Sequence, residues 1–204
     1  IRSINIPAVR VIRALGPEAA VEWAAKLGVS TPIYPDQSLV LGASCVYPWE
    51  MVQVYGLFAA RGKKSRPVFV KRVQNREGQI LEDRTHFSDL DAPLGFRLDG
   101  ILRDLFEPRR QVLADDTAYL VQTALKQVVD SGTAVAARSL KRPLGGKTGT
   151  TDAYDAWFVG FSDELVTAVW VGSDRNRRRL GRGETGGKVA LPIWKEYMKA
   201  VLAG

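Results

Sequence analysis

Apolar positions recur along this chain at two spacings, and the change from one to the other divides it into a helical half and a strand-rich half. "PAVRVIRAL" (7–15) predicts a short helix with proline near its first position. Gly16-Pro17 interrupts it, and "PEAAVEWAAKL" restarts with Glu18 in the first turn, where the helix dipole favours an acid. "PWEMVQVYGLFAARG" repeats the device. Pro48 opens it, Met51, Val54, Tyr55 and Phe58 mark one face, and Gly62 closes it. "RPVFVKRVQNREGQILED" predicts a hairpin, two β-rich runs around a polar turn with Gly78. Residues 85–114, rich in Asp, Arg and Pro, predict a long surface connection. "DDTAYLVQTALKQVVDSG" is the clearest helix, with Asp115 or Asp116 as its cap and Gly132 at its end. Its face is Ala118, Val121, Leu125 and Val128.

Three strands are predicted next, in "LGGKTGTT", "DAWFVGFS" and "LVTAVWVGS". The last two are apolar on both alternations: Trp157 and Val159 against Phe158, then Val169 and Val171 against Val166 and Trp170. Strands of that kind belong to a sheet covered on both sides. "ALPIWKEYMKAVL" closes the chain as an amphipathic helix, with Trp194, Tyr197, Met198 and Val201 on one face. The predicted class is α+β: helices first, then an antiparallel meander backed by a terminal helix. No internal repeat is visible.

Composition narrows the chemistry. The 204 residues are 46% apolar and 25% charged, fitting one globular domain or one large piece of one, and too apolar for disorder. Cys45 is the single cysteine, so neither an internal disulfide nor a cysteine zinc cluster can form. No metal or cofactor is expected. His86 is the single histidine, and no G-x-S-x-G elbow exists for it to serve. Net charge is +7, with arginines crowded at 175, 177, 178, 179 and 182. No aromatics interleave there to stack bases, so the cluster reads as a solvated loop rather than a nucleic-acid site. No apolar run approaches the ~18 residues of a membrane span. The first residue is Ile1, not Met, which is expected of an internal start.

The chemistry concentrates in "GGKTGTT". A phosphate loop needs glycine five positions before its last one, but Lys141 stands there, and the segment precedes a strand rather than a helix. Read as a strand, it sets the charge of Lys147 beside the hydroxyls of Thr148 and Thr150. Gly149 lets another backbone approach the edge closely. That suits an extended peptide along the edge, its terminal carboxylate held by Lys147 and the threonines. The Thr150 N–H is a candidate oxyanion donor.

Lys147-Thr148-Gly149-Thr150 matches the K-T-G motif of the penicillin-binding transpeptidases, which share a serine acyl-transfer fold with class A β-lactamases. Ser3-Ile4-Asn5 matches their S-x-N motif, and "RSINIPAVRVIRALG" resembles the stretch that follows it. "SLVLGASCVYPWEMVQVYGLFAARG", "QVVDSGTAVAA" and "GGKTGTTDAYDAWFVGF" resemble successive family segments in the same order. The C-terminal "LGRGETGGKVALPIWKEYMKAVL" is most similar to class A, bifunctional members of the 1A type. The resemblance covers nearly the whole chain. It implies that residues 1–204 are the C-terminal portion of a transpeptidase domain, an antiparallel sheet flanked by helices, incomplete in this chain.

The pattern departs from the family at one point. None of the ten serines has lysine three positions later, so the S-x-x-K nucleophile and its lysine are not in this sequence. Either the chain is the C-terminal piece of a larger polypeptide, or it is a degenerate homologue that never had the serine; the first reading implies a companion chain carrying that serine, and a chain inactive alone. The implied substrate is a peptidoglycan stem peptide ending in D-Ala-D-Ala, with β-lactams as its mimics. Ser3 would relay a proton, Asn5 would hold the substrate's backbone amide, and protonated Lys147 with Thr148 and Thr150 would hold its carboxylate. Asp152 and Asp155 are expected to be turn formers. The family also includes D,D-carboxypeptidases, endopeptidases, β-lactam hydrolases and β-lactam sensors, and those outcomes stay open. The implied location is the outer face of the cytoplasmic membrane, with attachment through an N-terminal anchor not present here.

Overall fold

A computed structural model describes residues 2–86, 89–90, 92–106, 109–151, 154–173 and 178–202. The chain forms two compact units, Ile1–Lys63 with Val112–Gly204, and Lys64–Gln111.

In the larger unit, α1 (Asn5–Leu15) and α2 (Pro17–Leu27) are separated by Gly16, whose φ of 84° ends one helix and admits the next. Pro17 then occupies the first turn of α2, where its missing N–H costs nothing. α3 (Pro48–Ala59) uses the same proline start. Its Glu50 is fully buried. Glu50 accepts hydrogen bonds from Ser30 N (2.7 Å), Ser30 Oγ (2.7 Å), Thr31 N (3.0 Å), Thr31 Oγ1 (2.6 Å) and Tyr47 N (3.1 Å). Burial alone would raise its pKa, but the bonds from Thr31, Ser30 and Tyr47 outweigh that and bring it to about 2. The loop before α3 is thereby tied to the helix.

After α5 (Asp115–Ser131) come β3 (Gly145–Thr151), β4 (Asp155–Phe161) and β5 (Val166–Val171), then α6 (Ala190–Val201). The three strands form an antiparallel sheet in the order β3-β4-β5. Lys147 lies opposite Val159, Thr148 opposite Phe158, and Trp157 opposite Trp170. The core joins the end of α5 to the sheet and α6: Val128, Val129, Ala134, Ala137, Leu144, Ala156, Phe158, Leu191, Trp194 and Met198. Phe158 and Trp194 meet edge to face at 4.9 Å, and each such buried ring stabilises the fold by roughly 2–3 kcal/mol. Gly160 is required there, because a Cβ would lie 2.7 Å from the Phe158 ring and 2.8 Å from the Trp194 ring.

The smaller unit holds the hairpin of β1 (Arg72–Gln74) and β2 (Ile80–Asp83), and α4 (Leu94–Phe106). Arg72 bonds Asp83 at 2.6 Å, and Arg103 donates to the carbonyls of Asp83 and Thr85.

The α+β class, the three-strand meander and the terminal helix are as the hydrophobic pattern predicts. Several details differ. Residues 85–114 are not a bare connection, since α4 runs through them; Leu98, Ile101, Leu102 and Leu105 carry its helical spacing, masked by Gly95, Gly100 and the interspersed charges. Neither Asp115 nor Asp116 caps α5; Ala114 precedes it and both acids sit in the first turn. On α3, Leu57 is buried with Val54, while Met51, Tyr55 and Phe58 are half-buried. On α6 the buried face is Ala190, Leu191, Trp194 and Met198, with Tyr197 and Val201 exposed. β4 is covered on both faces, whereas β5 is half-buried throughout.

Candidate active site at the edge of the sheet

Among the described residues β3 is the outer strand of its sheet, paired with β4 on one side only. Its other edge therefore offers backbone groups to an added strand. Lys147 sits in the middle of this strand, and its Nζ donates to Ser3 Oγ and to the Thr148 carbonyl, the latter at 2.6 Å. Ser3 and Lys147 are 144 residues apart in sequence. Burial pulls the Lys147 pKa below its ordinary value, because the charged form loses hydration. Ser3 has a φ of 50°, in the left-handed region that a serine adopts at a cost of about 1–2 kcal/mol. One residue, Ile4, separates it from α1, which begins at the exposed Asn5.

Strand alternation puts Thr148 and Thr150 on one face of β3. Thr148 is half-buried and Thr150 exposed. Thr150 Oγ1 accepts the N–H of Gly186 at 3.0 Å, and Thr148 Oγ1 lies 2.7 Å from Thr133 Oγ1. Gly149 lies opposite Trp157, and a Cβ there would be 3.1 Å from the Trp157 Cβ.

Of the residues the sequence singled out, Ser3 and Lys147 are in contact, Asn5 is two residues from Ser3, and Thr148, Gly149 and Thr150 continue the same strand. Asp155 begins β4 and accepts from Trp170 Nε1 at 2.9 Å, which explains it structurally. Asp152 lies outside the described residues, as do Arg175 and Arg177. His86 is in the smaller unit, 3.5 Å from the Asp104 carboxylate. Trp194 is fully buried, while Trp157 and Trp170 are half-buried and pair across strands at 6.2 Å. Among the described residues no His, Cys, Asp and Glu group is placed to hold a metal, and no helix is long and apolar enough to cross a membrane. A cavity of about 680 Å³ lies in the smaller unit and shares no residue with the Lys147 site.

Sequence reasoning did not single out Thr133 or Gly186. The only available signals were a threonine directly after a helix-ending glycine and a glycine pair, each of which ordinarily marks a turn.

Residues 1–199 match the family described as "Penicillin binding protein transpeptidase domain". Penicillin-binding protein 1A of Aquifex aeolicus is 38% identical over 200 residues, covering 98% of this chain and 24% of that protein. Penicillin-binding protein 1A of Pseudomonas aeruginosa is 35% identical over 229 residues, covering 97% of this chain and 28% of the relative. The chain thus spans about a quarter of the length of these curated relatives. Its backbone superposes on the crystal structure of penicillin-binding protein 1A from Haemophilus influenzae with a TM-score of 0.83 at 31% identity, covering 99% of this chain and 33% of that one. Against penicillin-binding protein PonA1 from Mycobacterium tuberculosis the TM-score is 0.71 at 25% identity, covering 92% of this chain and 50% of that one.

Proposed function

The chain belongs to the penicillin-binding protein transpeptidase family, among its 1A-like members, and from that premise we propose that it supplies one wall of a serine acyl-transfer site that cross-links peptidoglycan. The observation that carries the reading is the contact between Ser3 and Lys147 beside an open strand edge.

The substrate is a stem peptide ending in D-Ala-D-Ala, laid along β3. A serine of S-x-x-K type, supplied by a companion segment or chain, attacks the carbonyl carbon of the penultimate D-Ala. The new ester bond forms as the peptide bond breaks, and the terminal D-Ala leaves as an amine that takes up a proton. An amine of a neighbouring stem then attacks the ester, forming the cross-link and returning the proton to the serine. Ser3 passes protons between the nucleophile's lysine and the leaving or attacking amine. Asn5 holds the substrate's backbone amide. Protonated Lys147 supplies the charge for the substrate carboxylate, which Thr148 and Thr150 bind through their hydroxyls. The Thr150 N–H is one oxyanion donor, of a kind whose loss costs about 10²–10³ in kcat. β-Lactams occupy the same place, since their carboxylate and strained amide resemble D-Ala-D-Ala.

Two observations support the companion. No S-x-x-K occurs in the sequence. In addition, α1 and its approach expose Ile4 (58%), Ile6 (66%), Val11 (57%) and Leu15 (70%), an apolar surface of the kind that another part of a domain covers. The complete enzyme works at the outer face of the cytoplasmic membrane, held by an anchor outside this chain, and needs no cofactor.

The test is to give the complete enzyme a stem pentapeptide, with and without an amine acceptor. A cross-linked product is expected. Release of D-Ala with only the free acid formed assigns the site to a carboxypeptidase instead.

A further inference from the structure

A threonine hydroxyl has one hydrogen to give and two lone pairs with which to accept. In β3 the direction in which the Thr150 hydrogen is given is set from outside the strand, while Thr148 shares a hydrogen with Thr133. Thr150 Oγ1 accepts the Gly186 N–H at 3.0 Å, and an N–H cannot accept in return. The Thr150 hydrogen is therefore left for another partner. Thr148 Oγ1 and Thr133 Oγ1, 2.7 Å apart, share one hydrogen between them, and the pair retains one more. The three hydroxyls together keep two hydrogens to donate, as many as one carboxylate has oxygens.

The Gly186 N–H is fixed by its own surroundings. The Lys188 and Val189 N–H groups donate to the Thr185 carbonyl at 2.9 and 2.8 Å. The Ala190 and Leu191 N–H groups donate to the Gly186 carbonyl at 3.1 and 2.9 Å, joining this strap to the start of α6. It lies so close to the sheet that a Cβ at Gly186 would press into the carbonyl oxygens of Gly149 and Trp157. Thr133 follows the Gly132 that ends α5, and the next residue, Ala134, is fully buried and bonded through its N–H to the Val128 carbonyl at 3.1 Å.

We propose that Thr133 and Gly186 are positioning residues that preset the Thr148 and Thr150 hydroxyls as a two-donor clamp for the substrate's terminal carboxylate. Selectivity for a free carboxylate is then set by the end of α5 and the strap before α6 as well as by β3. This inference rests on the acyl-transfer reading of the site.

The test compares acylation of the complete enzyme by benzylpenicillin and by its methyl ester, which keeps the strained amide and loses the carboxylate. The readout is the ratio of the two second-order rate constants. Thr133→Val, which keeps the shape and removes the hydroxyl that orients Thr148, lowers that acid-to-ester ratio by about fivefold, the scale of one neutral hydrogen bond. Thr133→Ser restores it, and Gly186→Ala lowers it by displacing the strap. Melting curves establish that each variant is folded; should Gly186→Ala fail to fold, the Thr133 pair decides. If the parent favours the acid and Thr133→Val keeps the ratio while both rates fall together, Thr133 is merely structural and the inference is overturned. If the parent does not discriminate acid from ester, the carboxylate site itself is wrongly placed and the inference falls with it.

Discussion

Lys147 donates from its ammonium to Ser3 Oγ, joining the middle of an edge strand to a residue two positions ahead of the first helix. The contact fixes what removal of either partner does. In the complete enzyme, Ser3→Ala is expected to slow acylation by penicillin about 10²–10⁴-fold, the range for loss of a positioned proton carrier. Stopped-flow acylation kinetics check this, and a rate within twofold of the parent removes Ser3 from the mechanism.

Lys147→Met is expected to abolish measurable acylation without lowering thermal stability. Burial depresses the Lys147 pKa, so the folded chain holds the lysine proton less tightly than the unfolded chain does. Stability from this group therefore rises with pH in the window below its ordinary value of 10.5, where the unfolded chain binds more proton. Calorimetry is the check: a melting temperature for Lys147→Met clearly below the parent's at neutral pH contradicts it.

Glu50 gives the same direction in a lower pH window. Its folded pKa of about 2 lies below the model-compound value of 4.5, so its stabilisation is present above about 4.5 and is lost as pH falls through about 2. The contribution is on the order of 3 kcal/mol. Glu50→Gln, which cannot accept at both former oxygens, should melt lower at neutral pH and show a flatter pH dependence below 4.5. Equal acid slopes in the two proteins would remove Glu50 from that role.

Gly160→Ala is expected to destabilise the larger unit by about 1–3 kcal/mol, since the added methyl meets the Phe158 and Trp194 rings. Denaturant unfolding measures it, and an unchanged midpoint would mean the rings move aside freely.

Much of this arrangement was legible in the sequence, and the parts that were not share a cause. Lys147 and Ser3 stand in short motifs whose residue types have a joint chemical use, and the structure brings the two side chains into contact. The strand meander was found because β4 is apolar on both alternations. The helix α4 was missed because Gly95, Gly100 and alternating charges dilute its period, although Leu98, Ile101, Leu102 and Leu105 preserve it. The α6 face was misjudged because Tyr197 has the right spacing, yet the sheet is met by Ala190 and Leu191, one step around the helix. Thr133, Gly186 and Glu50 act through partners 15, 36 and about 20 residues away. Such pairings leave no local pattern.

The central claim is that this chain completes a penicillin-reactive site whose serine lies on another segment. The most direct measurement is incubation with a fluorescent penicillin, followed by a denaturing gel and intact-mass analysis of every band. The isolated 22.5 kDa chain should remain unlabelled. Joined to a segment bearing S-x-x-K, the label should fall on that serine and disappear with Lys147→Met. Covalent label on the isolated chain, or labelling that survives Lys147→Met, would contradict the account.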